Sequence, residues 1–262
     1  MIDFKSKESY SVNDLAEIVR LLRSAEGCPW DKVQTHESIR RNFLEEAYEV
    51  VEAIDEENPV HLQEELGDVL LQVLFHTRIE EEAGRFALDD VADGICKKLI
   101  YRHPHIFSDV QVADADEVLV NWEALKRIEK SQETYADSVD AVARSLPGLW
   151  RAEKIQKKAK KAGFDWDDIA GALEKVREET AELEEAVRDG TNVGEELGDL
   201  LFAAVNAARF AKVDPEVALH SACDKFSARF RRTEELAGGK LDTMTLDEMN
   251  LLWEQAKRDL KA

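Results

Sequence analysis

An all-α fold is what this sequence predicts, and three observations predict it. Glycine and proline are sparse, 12 and 5 among 262 residues, while Ala, Leu, Glu and Lys abound. Apolar residues recur at helical spacing, and runs of alternating β-branched residues are few. The whole helical pattern also occurs twice in the same order, the mark of a tandem repeat. A chain of this length holds one large or two small domains, and a 44% hydrophobic content suffices for real cores.

Val12, Leu15, Ile18, Val19 and Leu22 place a first helix over 12–22, stopped by Gly27-Cys28-Pro29. Trp30 and Asp31 open a new segment. A long amphipathic helix is expected over 39–54, with Ile39, Phe43, Val50, Val51 and Ile54 as its apolar stripe and Glu45, Glu46, Glu49 and Glu52 opposite. Asn58-Pro59, an N-cap followed by a proline at the first helical position, starts a helix that carries Glu64-Glu65-Leu66-Gly67-Asp68. Residues 131–140 are polar and weakly patterned and read as the linker between domains spanning 1–135 and 136–262. Ser145 to Gly148 is a turn. Residues 151–161 form a basic helix with Lys154, Lys157, Lys158, Lys160 and Lys161, either a solvated face balancing nearby acids or a contact for an anionic substrate.

The second copy then repeats the acidic design. At about 100° per residue, Glu178, Glu179, Glu182 and Glu185 fall in one arc, with Val176, Leu183 and Val187 opposite as the core side. Residues 188–192 are turn chemistry, and Glu196 and Asp199 share a face of the helix that follows. Asp214-Pro215 starts a further helix. Gly27-Cys28-Pro29-Trp30-Asp31 answers Gly163-Phe164-Asp165-Trp166-Asp167. Cys96 to Lys98 with Arg102 answers Cys223 to Lys225 with Arg229, and Trp122 to Arg127 answers Trp253 to Arg258.

Converging carboxylates with no interleaved Lys or Arg repel one another unless a cation neutralises them, and oxygen-only ligands favour Mg²⁺ or Mn²⁺. Lys and Arg four apart in each copy share a face and suit phosphate oxygens. Together these parts fit metal-assisted hydrolysis of a phosphoanhydride. The G-x-x-x-x-G-K-[ST] loop is missing, and no His has a Glu three residues before it, which argues against P-loop and di-iron chemistry. His103-Pro104-His105 reads as structural, and His36, His61, His76 and His220 are scattered without ligand spacing. A net charge of −21 and no basic stripe exclude nucleic acid as main partner. Cys28, Cys96 and Cys223 form no CxxC pair and read as reduced core residues, which with the lack of an apolar membrane span or basic leader gives a cytoplasmic expectation.

The doubled E-E-x-x-E and E-E-L-G-D motifs, the Gly27 to Lys32 opening, Arg102-His103-Pro104-His105, and Lys154-Ile155-Gln156-Lys157 leading to Gly163-Phe164-Asp165-Trp166 resemble the MazG family. These are tandem-domain nucleoside triphosphate pyrophosphohydrolases, and the likeness covers nearly the whole chain. The resemblance implies an all-α bundle completed by homodimerisation. It implies Mg²⁺-dependent hydrolysis of ATP and other nucleoside triphosphates between the α and β phosphates, with broad base tolerance and a housecleaning role. By motif position, Glu179, Glu182, Glu196 and Asp199 hold Mg²⁺, and Lys175 and Glu178 lie beside the nucleotide. Lys225 and Arg229 take phosphates, and Trp253 lines the nucleotide pocket or serves as a core aromatic. Glu46, Glu49, Glu65 and Asp68, with Lys98, Arg102 and Trp122, are the matching first-copy positions, less favoured as the working site. Asn192 stands where the family often has a basic residue. A non-catalytic scaffold, revealed by binding without hydrolysis, and a dUTP-selective pyrophosphatase are the competing readings.

Overall fold

The computed structural model describes residues 4–129 and 133–260, and all regular elements among them are helical. The chain divides into two compact units, Met1–Leu125 and Lys126–Ala262, with the division inside the helix Ala115–Glu129. The first unit contains α1 (Val12–Leu22), α2 (His36–Asp55), α3 (Pro59–Glu82), α4 (Leu88–Arg102), the single turn α5 (Pro104–Phe107) and the start of α6 (Ala115–Glu129). α1 has the expected bounds because Ser11 and Asp14 close a reciprocal capping box at its start. At the start of α3, Asn58 Oδ1 accepts the N–H groups of Val60 and His61, and Pro59 has no N–H to leave unpaired.

α2 and α3 fold back on each other through a short turn, and α1 packs on α3. Val19, Ile39, Leu74 and Phe75 are buried together, with Leu15, Leu70 and Leu71 against them. Removing one such side chain from water contributes roughly 1.5–3 kcal/mol. The stripe expected on α2 is only partly inward: Val51 and Ile54 are exposed, and Ala53 is buried instead. The inner arc is rotated toward the small side chain, which lets two helices approach closely.

The second unit contains α7 (Tyr135–Asp140), α8 (Gly148–Lys161), α9 (Ile169–Asp189), α10 (Val193–Phe210), α11 (Pro215–Leu236) and α12 (Leu246–Asp259). α9 and α10 form its hairpin, α8 packs on α10, α12 on α11, and α11 touches α8 and α10. Of the expected linker, residues 131 and 132 lie outside the described residues. Its end, Tyr135–Asp140, is helical, because Thr134 and Asp137 form a capping box. The α9–α10 turn needs left-handed backbone, supplied by Gly190 (φ 70°) and Asn192 (φ 54°). Asparagine is the side chain that best tolerates that conformation, a local reason for its presence at 192.

The cysteines do not share the core position expected of them. Cys28 is half-buried, and Cys96 and Cys223 are exposed on α4 and α11, helices that present broad outward faces. Among the described residues, no helix is long and apolar enough to cross a membrane.

Candidate active site

On α9 the buried positions are Ala172, Glu179 and Ala186, one every second turn. The expected division into a carboxylate face and an apolar face therefore needs correcting: Val187 points outward, and Glu179, only 5% exposed, lies within the inner stripe. Small alanines on either side let α10 come close, and the carboxylate between them meets residues from that helix. Glu179 belongs to two trios. With Glu178 and Glu182 it gathers on α9, and with Glu196 and Asp199 it bridges to α10; in each trio, one ligand atom per residue lies within 4.8 Å of the others. Glu179, Glu182, Glu196 and Asp199 thus meet around one shared residue, while Glu185 joins neither trio.

The acidic group is not free of cations, contrary to expectation. Lys175, one turn before, places Nζ 2.8 Å from Glu178 and 2.5 Å from Glu179. Those two contacts raise the Lys175 pKa above its ordinary value. Partial burial, then the neighbouring Glu179 charge, raises that of Glu182. Hard oxygen donors only, mutual repulsion, and an ammonium already standing against the buried member are the features a small divalent cation fits.

A cavity of about 500 Å³ opens beside this cluster, with Lys175, Glu179 and Asp199 in its wall. α8, α10 and the 163–166 turn supply the rest. Trp166 lies against α9 at Gly171, where a Cβ would stand 3.0 Å from the indole and push the ring outward by a few tenths of an ångström. Arg209 forms a two-pronged ion pair with Asp165, tying α10 to the turn that carries Phe164 and Trp166.

The MazG nucleotide pyrophosphohydrolase domain matches this chain twice, at residues 34–107 and 167–234. The chain belongs to that family. It is 44% identical over 247 residues to the nucleoside triphosphate pyrophosphohydrolase/pyrophosphatase MazG of Thermotoga maritima, covering 93% of this chain and 94% of that one. It is 42% identical over 255 residues to the nucleoside triphosphate pyrophosphohydrolase of Escherichia coli K12, covering 94% and 97%. A third relative, the uncharacterized protein YabN of Bacillus subtilis, is 50% identical over 92% of this chain, which spans 50% of that longer protein. As a MazG family member the chain is a hydrolase with its acidic hairpin in duplicate.

The other positions marked from the sequence fall elsewhere in this MazG scaffold. Lys225 and Arg229 share a face of α11, and Trp253 on α12 sits 5.1 Å, centroid to centroid, from Phe226; none of the three lines the cavity. In the first copy Glu46, Glu49 and Glu65 gather within 4.8 Å, with Asp68 outside the trio. Burial, then the charge of Asp68, raises the Glu46 pKa; burial, then Glu49, raises that of Glu65. His61 Nε2 lies 3.2 Å from Glu65, and Arg102 covers the Trp122 ring at 5.3 Å. Two of the scattered histidines also meet. His36 and His76 stack at 5.0 Å, and His36 reaches Glu80 at 2.5 Å.

Asn206 and Arg209 line the cavity but carry no sequence expectation, and Gln156, which also lines it, enters only as part of the Lys154 to Lys157 motif, with no role assigned. A signal was present for Asn206, a lone amide within the apolar run 200–208. Gln156 was hidden by the lysines around it.

Proposed function

We propose that this chain hydrolyses nucleoside triphosphates between the α and β phosphates, releasing nucleoside monophosphate and pyrophosphate, with the second copy as the working site. The observation that carries this reading is Glu179, buried, shared by two carboxylate trios and held by Lys175 at the wall of a nucleotide-sized cavity. The names of the relatives support the substrate class.

Glu179, Glu182, Glu196 and Asp199 would hold Mg²⁺, or Mn²⁺, which when bound supplies charge neutralisation at the phosphates. The chain's own residues do the rest. Lys175 exchanges a carboxylate partner for a phosphate oxygen, a charge-for-charge replacement that costs little in desolvation. Glu178, exposed on α9 and then released from Lys175, accepts the proton of the attacking water. Water adds at phosphorus, the α–β bridge breaks, and pyrophosphate leaves.

A homodimer fits the outward apolar side chains of α10 and α11, where Leu197, Leu201, Phe226 and Phe230 are all exposed. A second copy is also the way for Lys225, Arg229 and Trp253 to reach a nucleotide, since they do not line the cavity of their own chain. Broad base tolerance and a nucleotide-pool role in the cytoplasm complete the reading. The test is a product assay with the full chain, Mg²⁺ and a panel that includes dUTP. Monophosphate and pyrophosphate are expected across the panel. Orthophosphate with diphosphate would overturn α–β cleavage, and turnover confined to dUTP would overturn the tolerance.

A further inference from the structure

Gln156, in the wall of the cavity beside the carboxylates, carries a polar atom that its own protein leaves unanswered. Gln156 is the buried residue of α8, 6% exposed, and its Nε2 donates to the backbone carbonyl of Phe202 at 2.7 Å. A carbonyl can only accept, so the amide orientation is fixed. Its Oε1 is buried and, among the described residues, has no hydrogen-bond partner. A buried acceptor in that state costs about 1–3 kcal/mol unless an N–H from elsewhere meets it.

Asn206, on the same cavity wall, is fixed in the opposite sense. Its Oδ1 accepts from Arg209 Nε at 3.0 Å and Nη2 at 2.6 Å, and guanidinium groups only donate. What remains for the cavity is the NH₂ of Asn206, a donor. Arg209 is in turn held by Asp165, so turning over Gln156 breaks its tie to α10, and turning over Asn206 breaks its tie to an anchored guanidinium. Phe164 and Trp166 add flat aromatic surface, 83% and 47% exposed, at the mouth.

We propose that this cavity is the nucleobase subsite, in which Gln156 Oε1 and the Asn206 NH₂ hydrogen-bond the donor–acceptor edge of a base whose ring lies beside Phe164 and Trp166. The inference rests on the hydrolase reading above, which places the triphosphate at the carboxylate end. Adenine, guanine, cytosine and uracil each present an N–H next to an acceptor on their pairing edge. One protein acceptor and one donor therefore recognise that a base is present and discriminate weakly among the four. A site built this way rejects a substrate that has no base, because Gln156 is then left unpaired again.

The test compares ATP, GTP, CTP and UTP with ribose 5-triphosphate on the full chain with Mg²⁺, for wild type and Gln156→Met. Wild type should favour all four nucleotides over ribose triphosphate by at least about tenfold in kcat/KM, the cost of one unmade hydrogen bond. Gln156→Met should lower kcat/KM for the nucleotides by about tenfold, mainly through KM, and leave ribose triphosphate unchanged. A purely structural Gln156 would lower both substrates alike, which overturns the proposal, as does a wild type that cleaves ribose triphosphate as well as ATP. That second comparison decides the matter even where the variant does not fold. Binding of the non-cleavable α,β-methylene ATP, followed by calorimetry, separates the two readings. Tenfold weaker binding by Gln156→Met with no pyrophosphate released keeps the subsite and sinks the hydrolysis, whereas α–β cleavage indifferent to the base does the reverse.

Discussion

The two acidic hairpins share a scaffold and differ in what stands behind it. In the first, the buried residue of α1 is Val19, and it packs with Ile39, Leu74 and Phe75. In the second, the corresponding first helix buries Gln156, and the position seven after the E-E-L-G-D aspartate is Asn206 rather than Phe75. One hairpin is backed by filled core and the other by a cavity with fixed amides. The cations differ too. Three residues before the first motif stands Asn42, where the second has Lys175, and Arg41 pairs outward with Glu45 instead. Duplication therefore left carboxylates on both sides, and in the second copy a cavity of about 500 Å³ lies next to them. Keeping acids costs little on a solvated face; keeping a cavity costs packing.

The largest test of that contrast is catalytic. Asp199→Asn should lower kcat by about 10³-fold or more, the scale expected when a group that stabilises developing charge is removed. Asp68→Asn, its first-copy counterpart, should leave turnover unchanged. A product assay on both variants, with helicity followed by circular dichroism, would invert the assignment of copies if the losses were reversed. Next in size is packing. Phe75→Ala should cost about 3–5 kcal/mol in chemical denaturation, because it empties filled core. Asn206→Ala, which removes one acceptor from an Arg209 still held by Asp165, should cost less, about 1.5–3 kcal/mol. Equal losses would mean that both hairpins are backed alike.

Metal and pH sharpen the comparison further. Glu46 has a folded pKa raised above 4.5, so the folded state binds that proton more tightly than the unfolded chain does. Its contribution to stability is present below pH 4.5 and lost as pH rises through the raised value. In EDTA, Glu46→Gln should therefore gain melting temperature over wild type at pH 8 and lose that gain near pH 4. A gain independent of pH would remove the electrostatic cause. For wild type, Mg²⁺ at ten times its Kd should add about 1.4 kcal/mol by mass action, and Glu179→Gln should receive less. The smallest effect belongs to the outward pair of the first copy: Arg41→Ala should change stability by less than about 0.5 kcal/mol, measured by the same denaturation.

Helix bounds marked by local chemistry were legible from residues alone. Ser11 with Asp14, Asn58-Pro59 and Asp214-Pro215 act within one turn of themselves, and the starts they fix lie where the sequence placed them. Periodicity was a weaker guide to burial. It put Val187 and Ile54 inside, and Thr134 turned the end of an expected linker into helix. The exposed Cys96 and Cys223 show the same limit, since residue type gives a tendency while neighbours decide exposure.

By itself the sequence determined the all-α class, the duplication, the family and the acids that form both clusters, because each of these is written in composition, order or spacing along one helix. Only the tertiary structure decided that Glu179 turns inward and that Gln156 and Asn206 line one cavity. Gln156 and Phe202 are 46 residues apart, and Arg209 and Asp165 are 44. No periodic pattern spans such separations. The Gln156 orientation comes from helices brought side by side by packing, and that of Asn206 from an Arg209 that Asp165 holds across the fold.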